Sequence, residues 1–423
     1  QEVEILTLED CLRIGIDNNL SLEGKRKEIQ KSKYGVSENR SKLLPQINAI
    51  AGYNNNFDPP VSVTDGSSYG VPYNITKTLQ HSANAGLEMQ MPLFNQTLYT
   101  SMSIAKVMEE ISRLSYGKAR EDVILQISKM YYLGQVTAEQ IMLIKANITR
   151  LEELRDITQA FFDNGMSMEV DLKRVNINLE NLKVQYDNAQ AMMKQQLNML
   201  KYIMDYPAEK EIALTPVNTD SITTVALTGL SENIYELQLS QSQVQLAERQ
   251  KKIITNGYIP SLSLTGSWRY AAYTDKGYHW FHSGPSNQWF RSYGVGLTLR
   301  IPIFDGLDKT YKIKKAMIDI ENKRLAWEDA RKNLQTQYLN AVNDLMNNQR
   351  NFKKQKDNYL LAEDVYAVTS DRYREGIASM TEVLQDEMQM SEAQNNYISA
   401  HYNYRVTNLM LLKLTGQIES LVK

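Results

Sequence analysis

The chain has 423 residues, of which 42% are hydrophobic and 23% are charged, and its formal net charge is −2. This balance lacks the excess of Lys and Arg that attracts nucleic-acid phosphates, so no nucleic-acid partner is expected. The single cysteine, Cys11, excludes an intrachain disulfide. The sequence has no apolar run of roughly 18 residues or more, so it offers no membrane-spanning helix, and any membrane crossing would require β-strands.

The sequence begins at Gln1 rather than at a methionine. We interpret this as an exported protein whose signal peptide has been removed, although a shortened sequence would begin in the same way.

The first half is predicted to open with a helix that is followed by two strands. Thr7-Leu8-Glu9-Asp10 resembles a capping box, and the helix that it opens is predicted to continue to about Leu44, where Pro45 ends it. Apolar and polar residues then alternate over about 46-57 and again over about 80-92. Such alternation is typical of strands with one apolar face.

Two long helices are predicted to complete the first half. No proline interrupts the amphipathic pattern from Asn95 to about Ala160, which as a helix would be roughly 100 Å long. Gly165 is predicted to end it, because glycine accepts the left-handed conformation of a helix C-cap. The return helix carries a heptad pattern typical of coiled coils at Leu172, Val175, Leu179, Leu182, Tyr186, Ala189, Met193 and Leu200.

The second half repeats this order. Tyr258-Ile259-Pro260 corresponds to Leu43-Leu44-Pro45, and Ile301-Pro302-Ile303-Phe304-Asp305 corresponds to Met91-Pro92-Leu93-Phe94-Asn95. Gly376 again separates two long helices, of which the second has a weaker heptad pattern at Leu384, Met388, Ser391, Asn395, Ile398, Tyr402, Leu409 and Leu412. We therefore divide the chain into a first repeat (1-204), an irregular connection (205-230), a second repeat (231-416, with strands at about 261-273 and 289-302) and a tail (417-423).

Four strands with one polar face fit either a soluble sandwich or a transmembrane barrel with a watery lumen. Charged residues on the polar faces favour the barrel. So do the aromatic residues near the strand ends, which resemble an interfacial girdle: Tyr273, Tyr278, Trp280, Phe281, Trp289 and Phe290. Four strands cannot close around a lumen, whereas twelve strands from a trimer would leave room for water.

The duplicated order of helix, proline, strand pair, Pro-Leu-Phe or Pro-Ile-Phe, long helix, glycine turn and return helix resembles the TolC family of outer-membrane efflux channels. The resemblance covers nearly the whole chain. It implies a mainly α fold with a β-barrel portion: a homotrimer closes a twelve-stranded barrel in the outer membrane of a Gram-negative bacterium, and antiparallel coiled-coil helices form a tunnel through the periplasm. It also implies a periplasmic adaptor (membrane fusion) protein and an inner-membrane pump of the RND, ABC or MFS type as partners, together with outer-membrane lipid.

The resemblance also assigns roles to individual residues. It implies a passive exit duct gated at its periplasmic tip, with an acidic ring and gate at Asp171, Tyr373, Glu382, Gln385 and Asp386. The turns at Gly165 and Gly376 would contact the adaptor, and Pro45, Pro92, Pro260 and Pro302 would mark entry to the barrel. Two departures are that Ala378 stands where some family members have a locking arginine, and that Gln385 replaces an acidic residue.

Other functions receive less support from the sequence. A structural coiled-coil spacer or adhesin of the cell envelope is the alternative, but it would not need strands with polar faces. Neither a catalytic cluster nor a cofactor motif is evident, so no enzyme activity is expected. His279 and His282 have a metal-ligand spacing but lack further ligands nearby in the sequence, so no metal site is expected.

Overall fold

The structure is a computed structural model that describes residues 3–217, 229–275 and 288–422. It contains two compact units. The helical unit comprises 1–29, 111–241 and 324–423, and the sheet unit comprises 30–110 and 242–323.

The described residues form eight strands and seven α-helices. The strands are β1 (Glu4–Leu6), β2 (Gln46–Asn55), β3 (Val61–Asp65), β4 (Tyr73–Lys77), β5 (His81–Phe94), β6 (Ile212–Leu214), β7 (Ser261–Thr274) and β8 (Trp289–Arg300). The helices are α1 (Leu8–Asn18), α2 (Leu20–Ser41), α3 (Gln96–Asp163), α4 (Glu169–Met204), α5 (Tyr235–Asn256), α6 (Asp308–Arg374) and α7 (Met380–Leu414). Two short 3₁₀-helices occupy Ser67–Tyr69 and Ile418–Val422.

The sheet unit is organised around a four-stranded sheet in the order β2-β5-β7-β8. All three neighbouring pairs are antiparallel, and their register sets Asn48, Glu88, Ser267 and Gly294 opposite one another along one row. The next row sets Ile47, Met89, Gly266 and Val295 opposite one another. Because neighbouring rows point to opposite faces, the polar and apolar faces predicted for the single strands join into two continuous faces.

Two small strand pairs were absent from the sequence prediction. β3 and β4 form an antiparallel hairpin between β2 and β5 in the chain, and β1 pairs with β6 in parallel. The strands β1 and β6 have three residues each, which is too short for an alternating pattern to be recognised.

The prediction of one helix up to Leu44 was wrong, because the chain breaks at Asn19 between α1 and α2. The Asn19 side chain accepts a hydrogen bond from the Leu22 backbone N–H at 3.1 Å and donates one to the Ile203 carbonyl at 2.8 Å. Asn19 therefore caps α2 and ties this break to the end of α4. The capping box that opens α1 is confirmed at Thr7 and Asp10.

A hydrophobic cluster lies where α1, the middle of α3 and the end of α4 pack together. Leu12, Ile124 and Met204 are completely buried there. Cys11 belongs to the same cluster and is also completely buried. Burial raises the pKa of the Cys11 thiol to about 12, so this residue is a packing side chain.

The predicted heptad pattern of α4 is confirmed, since Val175, Leu179, Leu182, Ala189 and Leu200 are buried. The pattern predicted for α7 is confirmed only in part. Leu384, Ile398 and Leu409 are buried, but Met388 and Asn395 are exposed. The buried face also includes Glu387, Gln394, His401 and Asn408, and a pattern of apolar residues does not predict these polar positions.

None of the helices among the described residues has an apolar stretch long enough to cross a bilayer.

We predict that Glu121 makes the stability of the protein depend on pH. Burial, the largest effect, raises the pKa of this carboxyl group to about 7. The charge of Lys413 opposes this rise, and the charges of Glu419 and Asp122 add to it. The pKa of an unfolded glutamate is about 4.3, so the folded protein binds more protons than the unfolded chain between these values, and stability falls as pH rises through this window. Glu121→Gln removes that fall.

The thermal midpoint of Glu121→Gln should therefore exceed that of the wild type above about pH 7, with the difference shrinking towards about pH 4. Glu110→Gln, at an exposed position on α3, is the control and should follow the wild type. Parallel pH profiles for Glu121→Gln and the wild type would contradict the prediction.

Candidate functional site

The two turns between long helices in the helical unit have the same backbone structure. Gly165 and Gly376 have φ angles of 74° and 75°, the left-handed region that glycine adopts without a steric cost. The N–H of Gly165 donates to the Phe162 carbonyl at 2.9 Å, and the next N–H, of Met166, donates to Phe161 at 2.7 Å. The corresponding hydrogen bonds at the second turn join Gly376 to Tyr373 and Ile377 to Arg372, at 2.9 and 2.8 Å. Both turns are Schellman motifs.

Glu382 belongs to the N-terminal cap of α7. Its carboxylate accepts a hydrogen bond from the Ser379 backbone N–H at 2.8 Å, and its own N–H donates to the Ser379 hydroxyl at 3.3 Å. This capping box holds the carboxylate at the positive end of the helix dipole. The charge of Glu382 remains exposed to solvent.

Asp171 occupies the matching third position of α4. The cap residue there, Met168, provides no side-chain hydrogen bond. Instead Asp171 forms an ion pair with Arg174 at 3.2 Å. The acidic residue at this turn is therefore held by a cation and not by a capping hydroxyl.

Arg174 also connects the two turns, a role that the sequence analysis missed. Its guanidinium group lies 3.4 Å from the Thr381 hydroxyl, in the first turn of α7. The spacing of Asp171 and Arg174 suits an ion pair on one helix face, but the contact with Thr381 required the three-dimensional structure. Ala378 is partly buried and packs against the hydrophobic cluster of the helix ends. In the family that the sequence resembles, some members have a locking arginine at this position.

Tyr373 packs between the ends of the long helices and is only 6% exposed. Its hydroxyl is 3.3 Å from the Thr158 hydroxyl, and its ring contacts that of Phe161 with the ring centroids 5.7 Å apart. Burial is the main cause that raises its pKa, and the negative charge of Asp171 adds to it. Tyr373 therefore stays neutral and joins α6 to α3.

The other predicted gate residues lie further along α7. Gln385 is exposed and Asp386 is half-buried. At the end of α6, Arg374 forms ion pairs with Asp371 and with Glu153 of α3, each at 3.4 Å. These exposed pairs contribute little stability. They place a second arginine near the turns.

A charged pair lies on the polar face of the four-stranded sheet. Arg269 of β7 forms a hydrogen-bonded ion pair with Glu88 of β5. Gly86 stands directly opposite Arg269, and a Cβ atom at Gly86 would lie within 2.8 Å of the Arg269 Cα atom. The glycine therefore lets the two strands approach closely beside this pair.

Three of the four predicted barrel-entry prolines lie just outside strand ends. Pro45 and Pro260 directly precede β2 and β7, and Pro302 follows β8 by two residues. Pro92 lies within β5, where the register against β7 shifts between Pro92 and Phe94. This agrees with the restriction of proline to edges and irregularities of sheets.

The proposed aromatic girdle is divided between the two faces. The register sets Tyr273 and Phe290 in rows of the polar face and Trp289 in a row of the apolar face. Tyr278, Trp280 and Phe281 lie outside the described residues, as do His279 and His282. The apolar face has further aromatic residues that the sequence analysis did not assign to a girdle: Tyr53, Trp268, Tyr270 and Tyr293.

Within the described part of the chain, no three His, Cys, Asp or Glu residues are grouped closely enough to hold a metal ion.

The chain matches the family profile described as outer membrane efflux protein over residues 14–204 and 226–417. It is 21% identical over 399 residues to the outer membrane protein TolC of Vibrio cholerae, covering 90% of this chain and 84% of that protein. The fold resembles that of CusC, with a TM-score of 0.80, 15% identity, and coverage of 96% of this chain and 91% of CusC. It also resembles the open state of the MtrE outer membrane channel of Neisseria gonorrhoeae, with a TM-score of 0.77, 18% identity, and coverage of 97% of this chain and 88% of MtrE.

We predict that the two helix caps at the turns differ in stability and that each can be changed. Ser379→Ala removes the capping hydroxyl and should destabilise the first turn of α7 by about 1 kcal/mol. Met168→Ser would create the missing capping box with Asp171 and should stabilise the first turn of α4 by a similar amount.

Hydrogen exchange of these first turns measures both effects, because about 1 kcal/mol corresponds to a change of about fivefold in protection. Each variant serves as the control for the other turn. Equal protection of the α7 turn in Ser379→Ala and in the wild type would contradict the capping role.

Proposed function

The chain belongs to the outer membrane efflux protein family, and on this premise we propose that it is the trimeric exit duct of a tripartite efflux or type I secretion system. The duct is passive: it carries out no catalysis, and an inner-membrane pump of the RND, ABC or MFS type supplies the energy. A gate at the two turns between long helices controls passage. The protein is located in the outer membrane, with its helical part in the periplasm.

The observation that carries this proposal is the two-faced sheet. One face of β2-β5-β7-β8 is polar and the other is apolar, as a wall between a watery lumen and outer-membrane lipid requires. The outer strands β2 and β8 have backbone groups that must be paired before they can face lipid. Three copies would close a barrel of twelve strands, which is wide enough for water.

An exposed apolar stripe on α4 supports the packing of several copies. Val170, Ile177, Val184, Met192 and Met199 recur at intervals of seven or eight residues, and each is between 45% and 61% exposed. α6 has a corresponding exposed series at Leu325, Leu339, Met346 and Leu360. A heptad series of this kind is the contact surface of a coiled coil. Helices of neighbouring copies are its proposed partners.

The proposed gate consists of the acidic residues at the turns. In a trimer, Asp171 and Glu382 would each form a ring of three carboxylates, and rings of this kind favour cations. Arg174 balances Asp171, whereas Glu382 has only neutral capping partners. We therefore assign the stronger effect on ion preference to Glu382. Tyr373, Gln385 and Asp386 complete the proposed gate.

The turns are also the proposed docking site of the periplasmic adaptor protein. Met166, Met168 and Ile377 are 67%, 71% and 62% exposed there. Exposed apolar residues grouped at an otherwise polar helix end are typical of a protein contact. The duplicated element order supports repeats at 1-204 and 231-416, each of which would contribute one turn.

We predict that the protein forms a trimeric channel. The protein purified in detergent should have the mass of a trimer and should pass small, cation-selective currents in a planar bilayer. A protein that is soluble without detergent, is not trimeric and passes no current would instead favour the coiled-coil spacer.

The second prediction separates the charge of Glu382 from its capping role. Glu382→Gln keeps a side chain suited to the capping box but removes the ring of charge. The reversal potential in a salt gradient should therefore shift towards the value of a channel with lower cation selectivity. Asp171→Asn should shift it less, because Arg174 already balances that carboxylate. Ser379→Ala, which weakens the cap and keeps the charge, is the control. An unchanged reversal potential in Glu382→Gln would exclude Glu382 from the gate.

A further inference from the structure

The buried face of α7 is a regular alternation of apolar and polar residues. Its apolar positions are Val383, Met390, Tyr397, Tyr404 and Leu411, and its polar positions are Glu387, Gln394, His401 and Asn408. Each series has a spacing of seven residues, so both lie along one seam of the helix. A polar group is thus buried once in every heptad, although burial of such groups is unfavourable unless they find partners.

Two of these polar residues meet partners on α3. Gln394 and Asn147, which are 4% and 1% exposed, join through their side-chain amides at 2.7 Å. His401, which is completely buried, accepts a hydrogen bond from Arg405 at 3.0 Å, and its other ring nitrogen lies 3.4 Å from Glu139 of α3.

Glu387 differs from them. It is 4% exposed, and its Oε1 atom has no hydrogen-bond partner among the described residues. The cation whose charge acts on it is Arg150 of α3, and Arg150 forms hydrogen bonds with Glu363 at 2.9 Å and with Asn147 at 3.0 Å. The guanidinium group of Arg150 thus hydrogen-bonds to the carboxylate of Glu363, and it affects Glu387 only through its charge.

The surroundings of Glu387 favour its protonated form. The charged group that acts on it is Arg150 from α3. The charge of Glu387 in turn acts on the phenol of Tyr366 from α6, which is 4% exposed. The α4 residues in the hydrophobic cluster of the helix ends are apolar: Val175, Leu179 and Leu182. Burial raises the pKa of the Glu387 carboxyl group, and the opposing influence of Arg150 is smaller.

We propose that Glu387 is a proton-dependent latch of the gate: it holds a proton while α7 is packed against α3 and α6, and loses that proton when this packing opens. The inference rests on the proposed function, since it describes the regulation of the same gate. Glu387 lies two turns into α7, and its charge acts on Tyr366, which belongs to the same hydrophobic cluster as Tyr373. Separation of the helices would hydrate its carboxylate.

The sign of the effect follows from proton linkage. The packed state binds a proton at Glu387 at pH values where the opened state has lost it, so rising pH favours opening. The ratio of open to closed states can change by at most tenfold per pH unit for each linked proton. Glu387→Gln remains neutral at every pH and should keep the gate closed in the range in which the wild type opens.

The first experiment needs no channel activity. Between about pH 5 and about pH 8 the thermal midpoint of the wild type should fall more than that of Glu387→Gln, because only the wild type must lose a buried proton. The infrared difference spectrum between these pH values should contain carboxylic acid absorbance that is weaker in Glu387→Gln, where only the contribution of Glu121 remains. Glu392→Gln, at an exposed position on the same helix, should follow the wild type. The effect of Glu121 is common to all three proteins and cancels.

The second experiment measures open probability against pH in a planar bilayer for the same three proteins. The wild type and Glu392→Gln should open more often as pH rises, and Glu387→Gln should not. Should Glu387→Gln fold poorly, Glu387→Met offers an apolar side chain of similar size with the same expected loss of pH dependence. Identical pH profiles of wild type and Glu387→Gln, in midpoint and in open probability, would overturn the latch. If the thermal midpoints of the wild type and Glu387→Gln differ but none of the proteins passes current, the protonation of Glu387 would be supported and the proposal that the protein is a duct would be overturned.

Discussion

The unpaired edges of the four-stranded sheet are the constraint on which the rest of the structure depends. A strand that borders lipid must have its backbone N–H and C=O groups paired, since the hydrocarbon offers none of the hydrogen bonds that water provides. Four strands with outer members β2 and β8 cannot satisfy this requirement alone. The proposed trimer satisfies it, and the exposed heptad stripes on α4 and α6 then gain partners in the same assembly. Formation of the proposed trimer would therefore both pair the edge strands of the sheet unit and cover the exposed apolar stripes of the helical unit.

The two turns of the helical unit have the same backbone and different side chains. Both turns have a glycine with φ near 75° and the same pair of hydrogen bonds, so the fold requires only the glycine. The caps differ: a hydroxyl holds Glu382, and a guanidinium group holds Asp171. Corresponding positions of the two turns thus have the same geometry and different electrostatics, and in the proposed gate Glu382 would affect ion preference more than Asp171.

Much of the architecture could be predicted from the sequence because its signals are local. Alternation gave the four long strands and their faces, and the absence of proline gave the long helices. The break at Asn19 depends on a contact with Ile203, which is distant in sequence. Part of the buried face of α7 was missed, because Glu387, Gln394, His401 and Asn408 are polar residues. Arg174 was missed because its partner Thr381 belongs to α7 and is distant in sequence. Long-range polar contacts leave no periodic signal in the sequence.

The burial of Cys11 has a practical consequence for studies of motion in this protein. Its thiol is inaccessible and remains protonated at neutral pH, because burial raises its pKa to about 12, whereas the thiolate is the reactive form. The native chain therefore behaves towards thiol reagents almost as a cysteine-free protein. A single cysteine introduced at an exposed turn position, such as Met166 or Ile377, would take up a spin label or a fluorophore alone. Distances between labelled turns could then be followed without first removing a native residue from the core.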